Sequence, residues 1–379
     1  MSATFAQLRR STVEAPFDYS LYLALIALGT IGSFVIYSAT RTQLVVGGFN
    51  PHYYAERQFG FVVIGIIAMT LLSRIDYHHL EVIATPTYLG CLGALAGVFV
   101  LGSSALGAQR WYNLGFIQIQ PSEFSVLALI VAVATFCGRR SDGLRMYDIM
   151  RLLVMVGAPV GLIVLQPDLG TSIIIVLSLG GMMVIAGVPP RFMSFLAVGG
   201  VAGLVASIYL GLLKQYQIDR FVSFINQNSS NQGIQALVYE VQNAKTAIGA
   251  GGITGAGAFH GLQTTLGYVP EQSTDFIFTA IGEQFGFIGS TCVILLLSFV
   301  AWRMWSAGRL ARDTMGRVMG IGVFIFFAFS CFENIGMTMG IMPVTGIPLP
   351  LMSYGGSAVL VFYMAGGLAL SVSHRRVGS

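Results

Sequence analysis

The chain has 379 residues, 55% of them hydrophobic and only 9% charged, with 47 glycines and a mean hydropathy of +0.76. A soluble domain carries about 25% charged residues, which excludes a water-soluble globule of this size. A formal charge of +4, from 20 Lys+Arg against 16 Asp+Glu, is too small and too dispersed for a nucleic-acid footprint.

The polar N-terminal stretch includes Arg9 and Arg10, and the apolar run after Asp18 is too long for a signal-peptide core, so it reads as a retained first helix. Hydropathy then predicts ten spans, near residues 18–38, 58–73, 82–104, 122–138, 151–166, 171–188, 192–213, 275–302, 317–339 and 351–373. The runs are long and continuous, not alternating, so the fold class is an all-α polytopic membrane helical bundle. It reads as a single integral-membrane domain over 1–379.

With the N-terminus inside, 14 of the 20 basic residues fall on inner segments; only Arg41, Arg57, Arg110, Lys214, Arg220 and Lys245 fall outside. Both termini are therefore expected in the cytoplasm. Gly336 and Gly340 make a GxxxG spacing in the ninth span, which predicts close helix packing. Cys91, Cys137, Cys292 and Cys331 lack paired spacings and read as small hydrophobes. No HExxH-like histidine pair and no G-x-S-x-G are present.

The segment 214–270, placed outside between the seventh and eighth spans, is much longer than an ordinary connection. Its first half, through Asn226, Asn228, Ser229, Ser230 and Asn231, is polar and expected to be mobile. In its second half Gly249, Gly251, Gly252, Gly255, Gly257 and Gly261 alternate with Ile248, Ile253 and Phe259, apolar backbone suited to lying on or dipping into a membrane. The pattern matches neither G-x-G-x-x-G nor a Walker loop, so no nucleotide cradle is expected.

Acids beside apolar spans are costly and raise a functional hypothesis. Six qualify, Glu123, Asp168, Asp275, Glu283, Glu333 and, less clearly, Glu81, and the first five lie toward the outer half. On the residues alone Asp275, after Ser273 and Thr274, reads as a helix cap before it reads as a catalyst. Glu123 sits in a first turn behind Pro121, and Asp168 organises a break between Pro167 and Gly170. Glu283, about 12 Å down the helix from Asp275, is beyond capping and needs a partner or a hydrated cavity. Arg110 and Trp111 suit an interfacial belt, and Arg220 and Lys245 suit a solvated loop.

At these same positions the sequence resembles the SEDS family, named for shape, elongation, division and sporulation. The resemblance is carried by Gly107-Ala108-Gln109-Arg110-Trp111, Gln120-Pro121-Ser122-Glu123-Phe124, Gln166-Pro167-Asp168-Leu169-Gly170-Thr171, Pro270-Glu271-Gln272-Ser273-Thr274-Asp275-Phe276-Ile277-Phe278, and Pro343-Val344-Thr345-Gly346-Ile347-Pro348-Leu349-Pro350 through Ser353-Tyr354-Gly355-Gly356-Ser357. These stretches stand in family order over nearly the whole chain. The Pro343-Val344-Thr345-Gly346 wording is nearest the elongation enzymes, and Ile281-Gly282-Glu283 leans toward the division branch.

What the resemblance implies is a peptidoglycan glycosyltransferase that polymerises the lipid-linked disaccharide-peptide lipid II into glycan strands at the bacterial cytoplasmic membrane, releasing undecaprenyl diphosphate. Its partner would be a class B penicillin-binding protein. The family's catalytic carboxylate falls on Asp275 and its required tryptophan on Trp111. Arg220, Lys245 and Arg110 become candidates for neutralising the diphosphate, with Gln272 and Glu283 beside the substrate or supporting those that touch it. No cofactor is required by the sequence; a divalent cation, Mg or Mn, is an alternative source of positive charge. Val126 stands where the family has Lys, leaving Glu123 without an i,i+3 partner, and Ala256 and Ser273 replace a Lys and a frequent His. A lipid II flippase and a non-catalytic scaffold for the transpeptidase are the competing functions.

Overall fold

The computed structural model describes residues 15–376 except 106–107, 114, 116–117, 141–142, 210, 212–214 and 227–230. Arg9, Arg10, Gly107, Lys214, Asn228, Ser229 and Ser230 lie outside the described residues. The ten expected spans are helices: α1 (Tyr19–Val46), α2 (Tyr53–Arg74), α3 (Leu80–Leu101), α4 (Pro121–Gly138), α5 (Met146–Leu165), α6 (Leu169–Ile185), α7 (Pro190–Tyr209), then, after the long connection, α11 (Ile277–Arg309), α12 (Thr314–Thr338) and α13 (Gly356–His374). Among the described residues nine helices are long and apolar enough to cross a membrane, and α6 is a shorter apolar helix. In hydrocarbon the backbone must satisfy itself, so runs of this length have no cheaper conformation than a helix.

The starts are set by short polar side chains. Asp18 caps α1 by accepting from the Leu21 amide at 3.1 Å, Asp168 caps α6 through the Thr171 amide at 3.2 Å, and Asp313 caps α12 through the Gly316 amide at 2.8 Å. Pro121 opens α4 where a missing N–H costs nothing. The most buried spans, α4, α12 and α13, form the centre. There Phe326 and Phe362 stack with centroids 4.7 Å apart, and Tyr363 packs across Gly29 and Gly65, where a Cβ would strike its ring.

The two ends of the bundle differ. One end holds Asp18 with Arg303, Nε to Oδ2 3.0 Å, the His374 carbonyl with the Ala15 amide, and a network of Asp76, His78, Arg312, Asp313 and Arg375. Glu81 lies at this end, paired with Arg139 at 2.6 Å. The opposite end carries the long connection and a small antiparallel sheet, β1 (Ser103–Ala105), β2 (Ala108–Asn113) and β3 (Gln118–Ile119). That sheet is an addition to the all-helical expectation, too short to register as alternation in the sequence.

Among the described residues of the connection, α8 (Gln215–Ile225) and α9 (Gln232–Ala250) form in the half read as polar loop, with Asn231 capping α9 by accepting from the Gly233 amide at 2.9 Å. A short α10 (Leu262–Leu266) follows. α9 buries Ile234, Ala244 and Ala247, whereas the buried residues of α8 are the polar Gln217, Asp219 and Ser223. Gly336 and Gly340 do not serve a span-to-span contact: Gly336 packs on Met342, and Gly340, at φ +72°, receives the side chain of Lys245 from α9.

Inside α11 the chain leaves helical geometry at Gly286, φ +64° and ψ −160°. The peptide groups this frees are taken up by the glycine-rich stretch after α9. Ala256 and Gly257 donate to the carbonyls of Glu283 and Gln284 at 2.9 and 3.0 Å, and Phe287 and Ile288 donate back to Gly252 and Ile253 at 2.9 and 3.1 Å. Side chains at Gly251 or Gly255 would collide with the α11 backbone. The stretch therefore docks on a broken span, which non-helical backbone at membrane depth requires.

Candidate active site

Asp275 is not the cap of α11. The helix begins at Ile277 behind Phe276, which makes no side-chain cap bond. A turn precedes it, in which the Glu271 carbonyl accepts from the amides of Thr274, Asp275 and Phe276 at 3.0 to 3.3 Å. Glu271 holds φ +47° to make that turn, and the cost of left-handed backbone in a non-glycine residue is carried by the three bonds it closes. The carboxyl of Asp275 is thereby released to face the loop 343–349.

There it meets Gly346, at φ +76°. A Cβ on Gly346 would stand 3.2 Å from Asp275 Oδ2 and 3.6 Å from Arg220 Nη1, so one missing side chain lets acid and guanidinium approach the same point. Arg220, on α8, donates from Nη1 to the Thr345 carbonyl at 2.7 Å. Asn334, on α12, ties the two segments together: its amide donates to the Asp275 carbonyl at 2.7 Å and to the Ile347 carbonyl at 2.8 Å. The Glu333 carboxylate accepts from the Thr345 hydroxyl at 2.9 Å.

Arg110, on β2, turns inward. Its Nε donates to the Gln166 carbonyl at 2.9 Å and its Nη2 to the Pro167 carbonyl and, at 3.3 Å, to the Tyr216 hydroxyl. It is thus a packed cation and not a belt residue. Burial pushes Asp275 up to about 6; Arg220 and Arg110 oppose that rise and Glu271 adds to it. Glu240, on α9, shares this field: burial, then Asp275 and Glu271, raise it, while Arg220 opposes.

The other residues singled out in the sequence occupy neighbouring positions. Trp111 is half-buried on β2, paired with Ser103; strand alternation puts its indole on the opposite face from Arg110. Lys245 is exposed and is not among the charges acting on Asp275. Gln272 donates to the hydroxyls of Thr264 and Thr279, both at 3.0 Å. Both oxygens of Glu283 are engaged, accepting from the Gln263 amide at 2.7 Å and from the amide and hydroxyl of Thr264 at 2.8 and 2.6 Å, so this acid anchors α10. Asp168 accepts from Gln120 and Ser122, both at 3.0 Å. Glu123 keeps one buried oxygen without a partner among the described residues, and Val126, in the core at 2% exposure, supplies no charge to it. Among the described residues no three His, Cys, Asp or Glu side chains lie together as a metal site.

Sequence reasoning missed Asn334, Glu240 and Tyr216. Asn334 is a polar residue inside an apolar run, the kind of signal that singled out its neighbour Glu333. Glu240 was hidden in a segment read as loop, although Ile234, Leu237, Val241, Ala244 and Ala247 repeat at helical spacing.

A raised carboxyl beside two arginines at one end of a polytopic bundle marks a candidate functional site. The family model FTSW_RODA_SPOVE, described as cell cycle protein, matches residues 19–377. The chain is 34% identical over 362 residues to the peptidoglycan glycosyltransferase MrdB of Escherichia coli K12, covering 95% of this chain and 94% of that one. A chain from a structural study of polymerization and crosslinking by a peptidoglycan synthase complex superposes with a TM-score of 0.77 at 27% identity, over 95% of this chain and 98% of that one. The rod shape determining protein RodA of Thermus thermophilus gives 0.70 at 25% identity, over 96% and 99%. The chain belongs to the SEDS family of peptidoglycan glycosyltransferases, closely related to RodA and FtsW.

Proposed function

We propose that this chain polymerises lipid II into glycan strands, with Asp275 as the general base and undecaprenyl diphosphate as the leaving group. The 4-hydroxyl of an incoming sugar attacks the anomeric carbon of the growing strand; its proton passes to Asp275, the new C–O bond forms, and the bond from that carbon to the diphosphate oxygen breaks with inversion. A sugar hydroxyl is a poor nucleophile until deprotonated, and a positioned base contributes typically 10² to 10⁴-fold. The observation that carries this reading is the meeting of Asp275 and Arg220 over Gly346.

A carboxyl pushed up to about 6 is mostly ionised at neutral pH yet basic enough to take a proton. A diphosphate departs without protonation if its charge is balanced, so one carboxylate can serve where glycoside hydrolysis uses two. Arg220 and Arg110 supply that balance, held by carbonyl oxygens and not by carboxylates. Trp111 and Lys245 are assigned as contacts for the sugar and the loop side of the lipid carrier.

The site end is assigned to the outer face and both termini to the cytoplasm, because Arg74, Arg139, Arg140, Arg151, Arg191, Arg309 and Arg317 crowd the opposite end. A class B penicillin-binding protein is the assigned partner. The test is Asp275→Asn, purified with that partner and given lipid II, with glycan strands resolved on a gel. The expected result is an intact membrane protein that makes no strands. Normal ladders would remove Asp275 as base, and movement of lipid II between leaflets without polymer would make the chain a flippase.

A further inference from the structure

The break in α11 leaves its mark on the lipid-facing surface. Between α1 and α11 lies an apolar groove of about 410 Å³, lined by Ile31, Phe34 and Val35 on one side and Ile281, Phe285 and Val293 on the other. That volume lies within the range of about 300–1,000 Å³ typical of small-ligand sites. Thr30, at its edge, spends its hydroxyl on the carbonyls of Ile26 and Ala27, at 3.1 and 2.9 Å, so the lining offers nothing to a polar ligand. Ile31 and Phe34 are 37% and 45% exposed, and both walls are membrane-spanning helices, so the groove opens to hydrocarbon and not to water.

Toward the site end the groove is continued by a run of rings ending in a cation. Phe34 meets Phe285 at 6.4 Å and Phe259 edge-on at 5.9 Å, and the Arg41 guanidinium lies 5.4 Å from the Phe259 ring centroid. Arg41 is exposed and stands six residues beyond Val35 on α1, about 9 Å closer to the site end. The other wall begins at that same end, since Ile281 is six residues past Asp275. An apolar channel, an aromatic neck and a positive charge at the membrane boundary form a sequence of environments matched to a long hydrocarbon tail carrying an anionic head.

The geometry points to this groove as the seat of the isoprenoid chain of a polyprenyl-diphosphate-linked substrate, with Arg41 facing the diphosphate. The assignment rests on the polymerase reading above and adds the path by which the carrier lies against the protein. The isoprenoid is chosen over an ordinary acyl chain because the groove is continuous with α11, the helix that begins two residues after Asp275. A chain lying there delivers its head to the reacting carboxyl, whereas a phospholipid would gain only the apolar contact.

The experiment uses the full chain in lipid nanodiscs with a diazirine-bearing polyprenyl diphosphate, and in parallel a diazirine-bearing phosphatidylglycerol, with crosslinks mapped by mass spectrometry. The polyprenyl probe is expected to label the segments 30–35 and 281–293 and to be displaced by unlabelled undecaprenyl diphosphate. Filling the groove with Thr30→Trp or Val293→Trp should cut that labelling roughly tenfold, and Arg41→Ala roughly fivefold. Asp275→Asn should label like the unmodified chain, so the result is read independently of whether strands are made. Equal labelling by both probes, or labelling unmoved by the filling variants and by Arg41→Ala, would overturn the assignment.

Discussion

The side-chain amide of Asn334 lies 2.7 Å from the main-chain oxygen of Asp275 and 2.8 Å from that of Ile347. One buried amide in α12 thus sets the distance between the turn that presents the Asp275 carboxyl and the loop whose Gly346 makes room for Arg220. Asn334→Leu would leave two buried carbonyls unsatisfied, each costing about 1–3 kcal/mol. We expect a lowered unfolding temperature in detergent and, because small displacements at a reacting centre cost up to about 10²-fold, a loss of strand synthesis beyond what the stability change explains. Full activity in a correctly folded Asn334→Leu protein would show that the clamp is idle.

Arg220 pulls the Asp275 carboxyl down while burial pushes it up to about 6. As the proposed base, Asp275 works only when deprotonated, so the polymerisation rate should rise with pH through that value. In Arg220→Gln the restraining charge is gone and the acid limb moves to higher pH, by about 1 or more. Rate–pH profiles of the two proteins make the comparison; limbs that coincide would detach Arg220 from the base.

Glu283 should behave unlike Asp275. Its carboxylate holds the Gln263 and Thr264 amides and the Thr264 hydroxyl, so Glu283→Ala exposes buried donors at about 1–3 kcal/mol each. The expected outcome is a loosened 261–266 segment, seen as faster proteolysis there, together with a lower melting temperature. Asp275→Asn should leave both measurements near those of the unmodified protein.

At the far end, burial tends to raise Asp313, but the Gly316 amide, the Tyr77 hydroxyl and His78 outweigh it and hold the carboxyl below its ordinary 3.8. Such a group binds its proton more weakly in the folded chain than in the unfolded one. Its contribution is therefore complete above about pH 4 and lost as pH falls through the folded value. Asp313→Asn should lower stability at pH 7 and flatten the acid side of the curve, measured by thermal unfolding from pH 2 to 7.

The ten spans were legible because lipid imposes a length and a composition that few other structures share, and α4 and α6 begin where Pro121 and Asp168 announce a start. Asp275 was legible as an unusual acid but not as one released from capping. That depends on the left-handed turn at Glu271, which no local preference of glutamate predicts. Likewise α8 and α9 were obscured by the asparagines between them, although Asn231 is itself a cap. Arg110 and Arg220 are separated by more than a hundred residues, and only the crossing of β2 and α8 at Pro167 and Tyr216 brings them to one carboxyl.

The pairing of residues 252–257 with the interruption at Gly286 fixes the length of this segment. The four amides exchanged there depend on register, so adding or deleting even one residue between Gly251 and Gly257 would misalign every donor with its acceptor and twist the helix that begins beside Asp275. Sequence length in that short interval is under tighter control than its chemistry, and an epitope tag placed within it should silence the enzyme even though no reacting group is touched.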